Sequence, residues 1–293
     1  MPREMEGKTA TNSGRTRLRK RQIALALLAL ALLLGAKAWQ DTMAEPAVHR
    51  TSITMPQLPA GSEPVRIALV SDVHVAGPDM PPSRLSRIVT QVNELRPDIV
   101  LIAGDLISDK ALATHHYSAQ EAVAPLAKLD APLGTFVVPG NHDHWFDLPA
   151  LAREVQRHGM TLLINEAAQA GPLVIGGLDD AYTSRADVPA TLEAMEMLDG
   201  APPVVLSHSP DPFPQLPDSV PLMLAGHTHC GQIGYPWGGA PVSLSRYGSR
   251  YACGRVDEGA KTVVTGGGLG TSLLPLRLFT RPEIWLIELR PRT

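Results

Sequence analysis

Five short apolar runs restrict what this chain can fold into: "VRIALVSD" (65–72), "DIVLIAGD" (98–105), "GTFVVPGN" (134–141), "PPVVLSHS" (202–209) and "VPLMLAGH" (220–227). Each is rich in β-branched residues and breaks off at Gly, Ser, Asp, Asn or His. A run that is apolar throughout, rather than alternating, reads as a strand buried on both faces that empties into a polar loop. Helical patterns fall at 82–95, 118–129 and 148–158, and further strands are expected at 161–165, 172–177, 262–265 and 283–289. Strands alternating with helices predict an α/β fold. With 27 prolines, 25 glycines and only 4% aromatics, the composition suits many loops between short strands. There is no internal repeat, and residues 65–293 are expected to form one domain.

The amino terminus has a different character. Residues 1–21 carry seven basic side chains, Arg3, Lys8, Arg15, Arg17, Arg19, Lys20 and Arg21, against Glu4 and Glu6. "IALALLALALLLGA" then runs uncharged from Ile23 to Ala36. Residues 1–21 read as a basic cytoplasmic tail. Residues 22–39 read as a single membrane pass, with Lys37 snorkelling and Trp39 at the interface. A cleaved signal peptide, with Ala36-Lys37-Ala38 as its small-x-small site, fits the same residues. The long basic segment favours the anchor. Either way the remainder lies outside the cytoplasm, so the expected location is the inner (cytoplasmic) membrane with the globular part periplasmic or extracellular. Residues 40–64 read as a linker in which "TSITM" forms an edge strand.

Without its first 21 residues the chain has 19 basic and 27 acidic side chains. A phosphate backbone normally meets a basic face, so no nucleic-acid partner is expected. Cys230 and Cys253 both lie in the exported part, where an oxidising compartment permits pairing. Their spacing leaves a disulfide and two free thiols both open.

The strand ends hold the chemistry. In order they present Asp72 and His74 ("SDVH"), Asp105 ("AGD"), Asn141 and His142 ("PGNHDHW"), His208 ("LSHSPD"), and His227 and His229 ("AGHTHCGQ"). In open α/β sheets ligands bind beyond the carboxyl ends of the strands, where all of these fall. If residues 227–229 were extended, His227 and His229 would point to the same side. The set is too large for one ion. Two metals sharing a bridging carboxylate take about seven protein ligands, and mixed Asp, His and Asn suits Mn, Fe or Zn better than Ca or Mg.

DxH, GD, GNH, H and GHxH in this order resemble the calcineurin-like metallophosphoesterase superfamily over about Val65 to the end. The resemblance implies a central β-sandwich flanked by helices. It implies one metal held by Asp72, His74, Asp105 and His229 and a second by Asp105, Asn141, His208 and His227, with Asp105 bridging. It also implies a phosphoester hydrolase in which a metal-bridging hydroxide attacks phosphorus in line, while His142 stabilises the transition state or protonates the leaving oxygen. "GHTHCGQ", "GGGLGTSLLPLRLFTRPE" (266–283) and the membrane segment are similar to the membrane-tethered bacterial phosphodiesterases of the superfamily, some of which cleave UDP-2,3-diacylglucosamine. That nucleotide-linked precursor belongs in the cytoplasm, whereas the charge pattern sends this domain outward. The expected substrate is therefore a lipid-linked or envelope phosphate ester, hydrolysed by a phosphodiesterase or pyrophosphatase. The alternatives are a non-catalytic metal-stabilised interaction module and an exonuclease of the same superfamily.

Many members read GDxxD, with the second acid orienting the catalytic histidine. Here that position is Ser108 and the acid is Asp109, so either Asp109 reaches by a looser loop or another group orients His142. His144 and Trp145 are candidates for the substrate cleft, and His115 and His116 for a lid or a solvated loop. Arg246, Arg250, Arg255, Arg277 and Arg281 read either as grips for a second phosphate or lipid head group or as scattered surface arginines. His49 and His158 carry no functional reading. "LGTSLLPLRLF" (269–279) reads as core strand and turn, or as a segment dipping toward acyl chains.

Overall fold

The computed structural model of the protein describes residues 9–198 and 200–292. Residues 1–8 of the expected basic tail lie outside the described residues. α1 (Thr9–Met43) is one continuous helix built on Leu and Ala, both strong helix formers, and residues 15–43 are long and apolar enough to cross a membrane. Its leucines from Leu25 to Leu34 are exposed on every side.

Residues 40–64, expected as a linker, hold the end of α1 and the strand β1 (Ala47–Thr54). β1 pairs along its whole length, in parallel, with β12 (Glu283–Arg290), the last strand of the chain. β12 runs antiparallel to β2 (Val65–Val70), which is followed in parallel by β3 (Ile99–Ala103), β4 (Thr135–Val138) and β5 (Thr161–Leu162). A second six-stranded sheet runs β10 (Gly254–Glu258), β11 (Lys261–Thr265), β9 (Leu222–Ala225), β8 (Pro203–Leu206), β7 (Leu173–Gly177) and β6 (Glu166–Ala170). Its two outer pairs, β10–β11 and β6–β7, are antiparallel and the inner ones parallel.

Alternation along each strand divides the apolar side chains between two layers. Ile67, Leu69, Ile99, Leu101, Phe136 and Val138 of the first sheet meet Leu173, Ile175, Val204, Leu206, Leu222 and Leu224 of the second. Ala68, Val70, Val100, Ile102 and Val137 point outward and are covered by α2 (Pro82–Glu94), α3 (Ala119–Val123) and, after the short α4 (Asn141–Phe146), α5 (Leu148–Arg157). The outer face of the second sheet packs Val174, Val205 and Met223 under α6 (Val188–Glu196). The result is a β-sandwich flanked by helices. Burial on both faces is why the strand sequences are apolar throughout.

The strands end where their apolar runs do. β2, β3, β4, β8 and β9 end at Val70, Ala103, Val138, Leu206 and Ala225, and the residues beyond each end form loops on one rim of the sandwich. The helix expected over 118–129 divides. Ser118 starts α3 with a reciprocal capping box to Glu121, and Pro125 then turns residues 124–128 into a tighter 3-10 turn.

Candidate metal centre

Five of the polar residues beyond these strand ends adopt the left-handed backbone conformation that side chains other than glycine rarely take. Their φ values are 49° at Asp72, 50° at His74, 55° at Asp105, 70° at His227 and 52° at His229. Such strain persists where the surroundings enforce it, and it gathers at functional sites. Gly104, at φ 74°, lets the Asp105 loop pass the neighbouring one, since a Cβ there would lie 2.6 Å from the Gly140 nitrogen. His227 and His229 do converge on the site, but not through strand alternation. β9 ends at Ala225, His227 lies in the bend beyond it and His229 opens a 3-10 turn, and each joins a different group of candidate donors.

The first group joins Asp72, His74 and His229. His229 Nε2 lies 3.1 Å from His74 Nε2 and 3.5 Å from Asp72 Oδ1. The second joins Asn141, His208 and His227, where His208 Nε2 lies 3.1 Å from both Asn141 Oδ1 and His227 Nδ1. A single oxygen lies between the groups: Asp105 Oδ2 is 3.4 Å from His74 Nε2 and 3.3 Å from His208 Nε2. All seven side chains are buried. Donor atoms that share one ion at about 2.1 Å stand roughly 3.0–3.4 Å apart, from octahedral to tetrahedral angles, so these spacings fit shared cations. His208 also gives its Nδ1 to the Ala103 carbonyl at 2.8 Å, which turns Nε2 inward, as metal-ligating histidines are commonly held.

The charges agree with the spacing. Burial pushes the Asp72 carboxyl up to about 6, with Asp105 adding to the rise and His208 opposing it. Burial works upward on Asp105 too, but His208 and His74 hold it well below the usual carboxylate range. His74 and His229 are driven well below the usual histidine value by burial, and His227 is pushed down to about 3 by burial and by its neighbour His208. Burial alone would lower His208, yet the Asp105 carboxylate carries it up to about 10. His74, His227 and His229 are neutral imidazoles beside two buried carboxylates, a donor set that divalent cations suit, while His208 would give up its proton to a cation that took its place beside Asp105.

His142 stands beside this set. Its backbone N–H donates to Asp105 Oδ1 at 2.8 Å, its ring is 4.8 Å from that of His74, and its Nδ1 is hydrogen-bonded to the Asp109 carboxylate. Asp109 thus supplies the orienting acid that Ser108 cannot. Sequence reasoning missed Asp143. Its buried carboxylate accepts from the backbone N–H groups of Asp105 (2.8 Å), Leu106 (2.8 Å) and Gly140 (2.9 Å), tying two ligand loops together. Burial and the nearby Asp105 push it up to about 7. The available signal was an acid in the first turn of a short helix opening at Asn141.

The other candidates divide. His142, Trp145, Tyr182, Leu244, Ser272 and Leu273 wall a cleft over the ligand residues. His144 pairs with Asp179 at 2.6 Å. His115 and His116 are exposed and do not line the cleft, with His115 packed on Tyr117. Of the five arginines, Arg246, Arg250, Arg255 and Arg281 are surface groups, whereas Arg277 is fully buried. Arg277 Nη2 donates to the carbonyls of Gly267 (2.7 Å) and Gly270 (2.6 Å) and lies 3.3 Å from His229 Nδ1, bracing the loop behind that histidine. Residues 269–279 form no core strand: Leu273 and Leu274 are exposed. Cys230 and Cys253 are joined in a disulfide.

The family model described as calcineurin-like phosphoesterase matches residues 65–231. An uncharacterized metallophosphoesterase, YkuE, of Bacillus subtilis is 32% identical over 278 residues, covering 90% of this chain and 94% of the relative. A transmembrane protein with metallophosphoesterase domain of Danio rerio is 30% identical; the alignment covers 92% of this chain and 63% of that longer protein. Among solved structures, the Haemophilus influenzae NAD nucleotidase NadN matches with a TM-score of 0.46 at 15% identity, over 70% of this chain and 45% of that one. This chain belongs to the calcineurin-like phosphoesterase family. It is a metal-dependent phosphoester hydrolase with an amino-terminal helix of membrane-spanning character.

Proposed function

We propose that the protein is a two-metal phosphodiesterase or pyrophosphatase, fixed to the cytoplasmic membrane with its catalytic part on the outer side, acting on a lipid-linked or envelope phosphate ester. The observation that carries the two-metal reading is the single oxygen of Asp105 standing between two groups of buried donors. Asp72, His74, Asp105 and His229 would hold one ion, and Asp105, Asn141, His208 and His227 the other, with Mn, Fe or Zn suited to the donors. Such ions supply Lewis-acid polarisation of the phosphoryl group and activation of water.

The chain's own part is positioning and proton handling. With Asp109 accepting from His142 Nδ1, the free Nε2 is the nitrogen that can hold a proton for the leaving oxygen. The backbone bond from His142 to Asp105 keeps that ring in register with the ligands. Trp145, Tyr182, Leu244 and Leu273 line the cleft beside the candidate donors. The disulfide supports the outward orientation, because such bonds persist in oxidising compartments.

The test is reconstitution. Chelated full-length protein should regain hydrolysis of bis(p-nitrophenyl) phosphate on addition of Mn²⁺, Fe²⁺ or Zn²⁺, with about two ions bound per chain. Asn141→Ala should lose one ion and Asp105→Asn both. Inactivity with every metal, or a single ion in active protein, sinks the reading.

A further inference from the structure

The apolar run of α1 ends at Gly35-Ala36, and Lys37 is the first charge after it. The helix meets the globular part at once. Asp41 accepts from the Phe279 backbone N–H at 2.9 Å, Thr42 Oγ1 accepts from that of Arg277 at 2.6 Å, and Lys37 Nζ stands 5.7 Å from the centre of the Phe279 ring. From Gly35 to Asp41 a helix rises only about 9 Å, close to the roughly 5–8 Å of one headgroup layer. The segment leading to Phe279 therefore stands at the bilayer surface.

The same edge of the protein exposes large apolar side chains. Leu273 is 75% exposed and Trp237, stacked on Tyr235, is 81% exposed. The loop bearing Trp237 lies on the Phe279 segment. Gly234 N–H donates to the Leu278 carbonyl at 2.7 Å, and Gln232 Nε2 to the Leu274 carbonyl at 3.0 Å. A contiguous apolar rim containing Trp and Tyr, beside a membrane-spanning helix, has the composition of an interfacial belt. Leu273 walls the cleft over the ligand residues and also, with Leu274, an adjoining cavity of about 210 Å³.

We propose that this rim of Tyr235, Trp237, Leu273, Leu274 and Phe279 seats in the lipid headgroup layer, so that the cleft opens onto the bilayer surface. This rests on α1 crossing the membrane, as the proposed function does, and names the surface from which the substrate is taken. The occupant is lipid rather than a protein partner, because the rim is continuous with the point where the anchor leaves the bilayer.

The test reads Trp237 directly. Full-length Trp39→Phe protein is reconstituted in phosphatidylcholine nanodiscs, with or without bromine near the headgroup end of the acyl chains. Brominated lipid should quench tryptophan fluorescence, and adding Trp237→Phe should remove about half or more of that quenching, as expected for an interfacial ring. Equal quenching with and without Trp237 overturns the proposal. So does shielding of Trp237 from aqueous acrylamide without quenching by bromine, which would assign the rim to a protein contact. Hydrolysis of bis(p-nitrophenyl) phosphate by the same samples reads the proposed function separately: lost turnover with quenching intact sinks that reading and leaves the rim standing.

Discussion

Asp109 and Asp143 show where reading single residues reaches its limit. The seven donors were legible as candidates because each lies within four residues of the end of an apolar strand, and the structure gathers all seven at one rim. The partner of His142 was not, since only the folded loop shows that an acid one place late still reaches Nδ1. Asp109→Ala should therefore lower kcat about tenfold to a hundredfold, leaving KM and metal content near wild type; an unchanged kcat would remove Asp109 from the mechanism. Asp143 was hard to see for another reason: its partners are backbone groups, and an acid in the first turn of a short helix was the one hint of them. Replacing one of its oxygens by an amide sets donor against donor. Asp143→Asn should cost about 1–3 kcal/mol in chemical unfolding, and a smaller change would mean that water takes over the bonds.

At the level of elements, periodicity found what lies in the core and missed what tertiary pairing imposes. The central strands of the sandwich were read from their apolar runs, while β10 was not read at all and β6, with the helix-like sequence Glu166-Ala-Ala-Gln-Ala, is a strand because β7 pairs with it. α6 escaped notice although Asp187 caps it and a proline lies in its first turn, signals that a search for apolar stripes passes over. The buried runs carry stability rather than chemistry. Leu101→Ala, in the layer between the sheets, should cost about 2–5 kcal/mol of unfolding free energy, with hydrolysis per folded molecule retained; loss of turnover beyond the folded fraction would show that the sandwich also tunes the rim.

For the molecule as a whole, the disulfide was legible as one of two possibilities, which the fold decides, and the apolar segment as a run that the structure makes part of one continuous helix. Cys230 follows His229 directly, and its bond to Cys253, 23 residues on, closes the loop that carries Trp237. Opening it by Cys253→Ser should cost about 3 kcal/mol on a chain-entropy account, seen as a lower melting temperature, and dithiothreitol should reproduce the loss in wild type but not in the variant. The join between α1 and the sandwich is the larger surprise. A flexible tether of n residues lets a domain wander about 5–6 Å × √n from its anchor. Here α1 ends at Met43 and β1 begins at Ala47, already zipped to the last strand. On the proposed reading, the helix would fix the bearing of the catalytic face to the membrane as well as its address, holding it at one height where a flexible tether would let it swing.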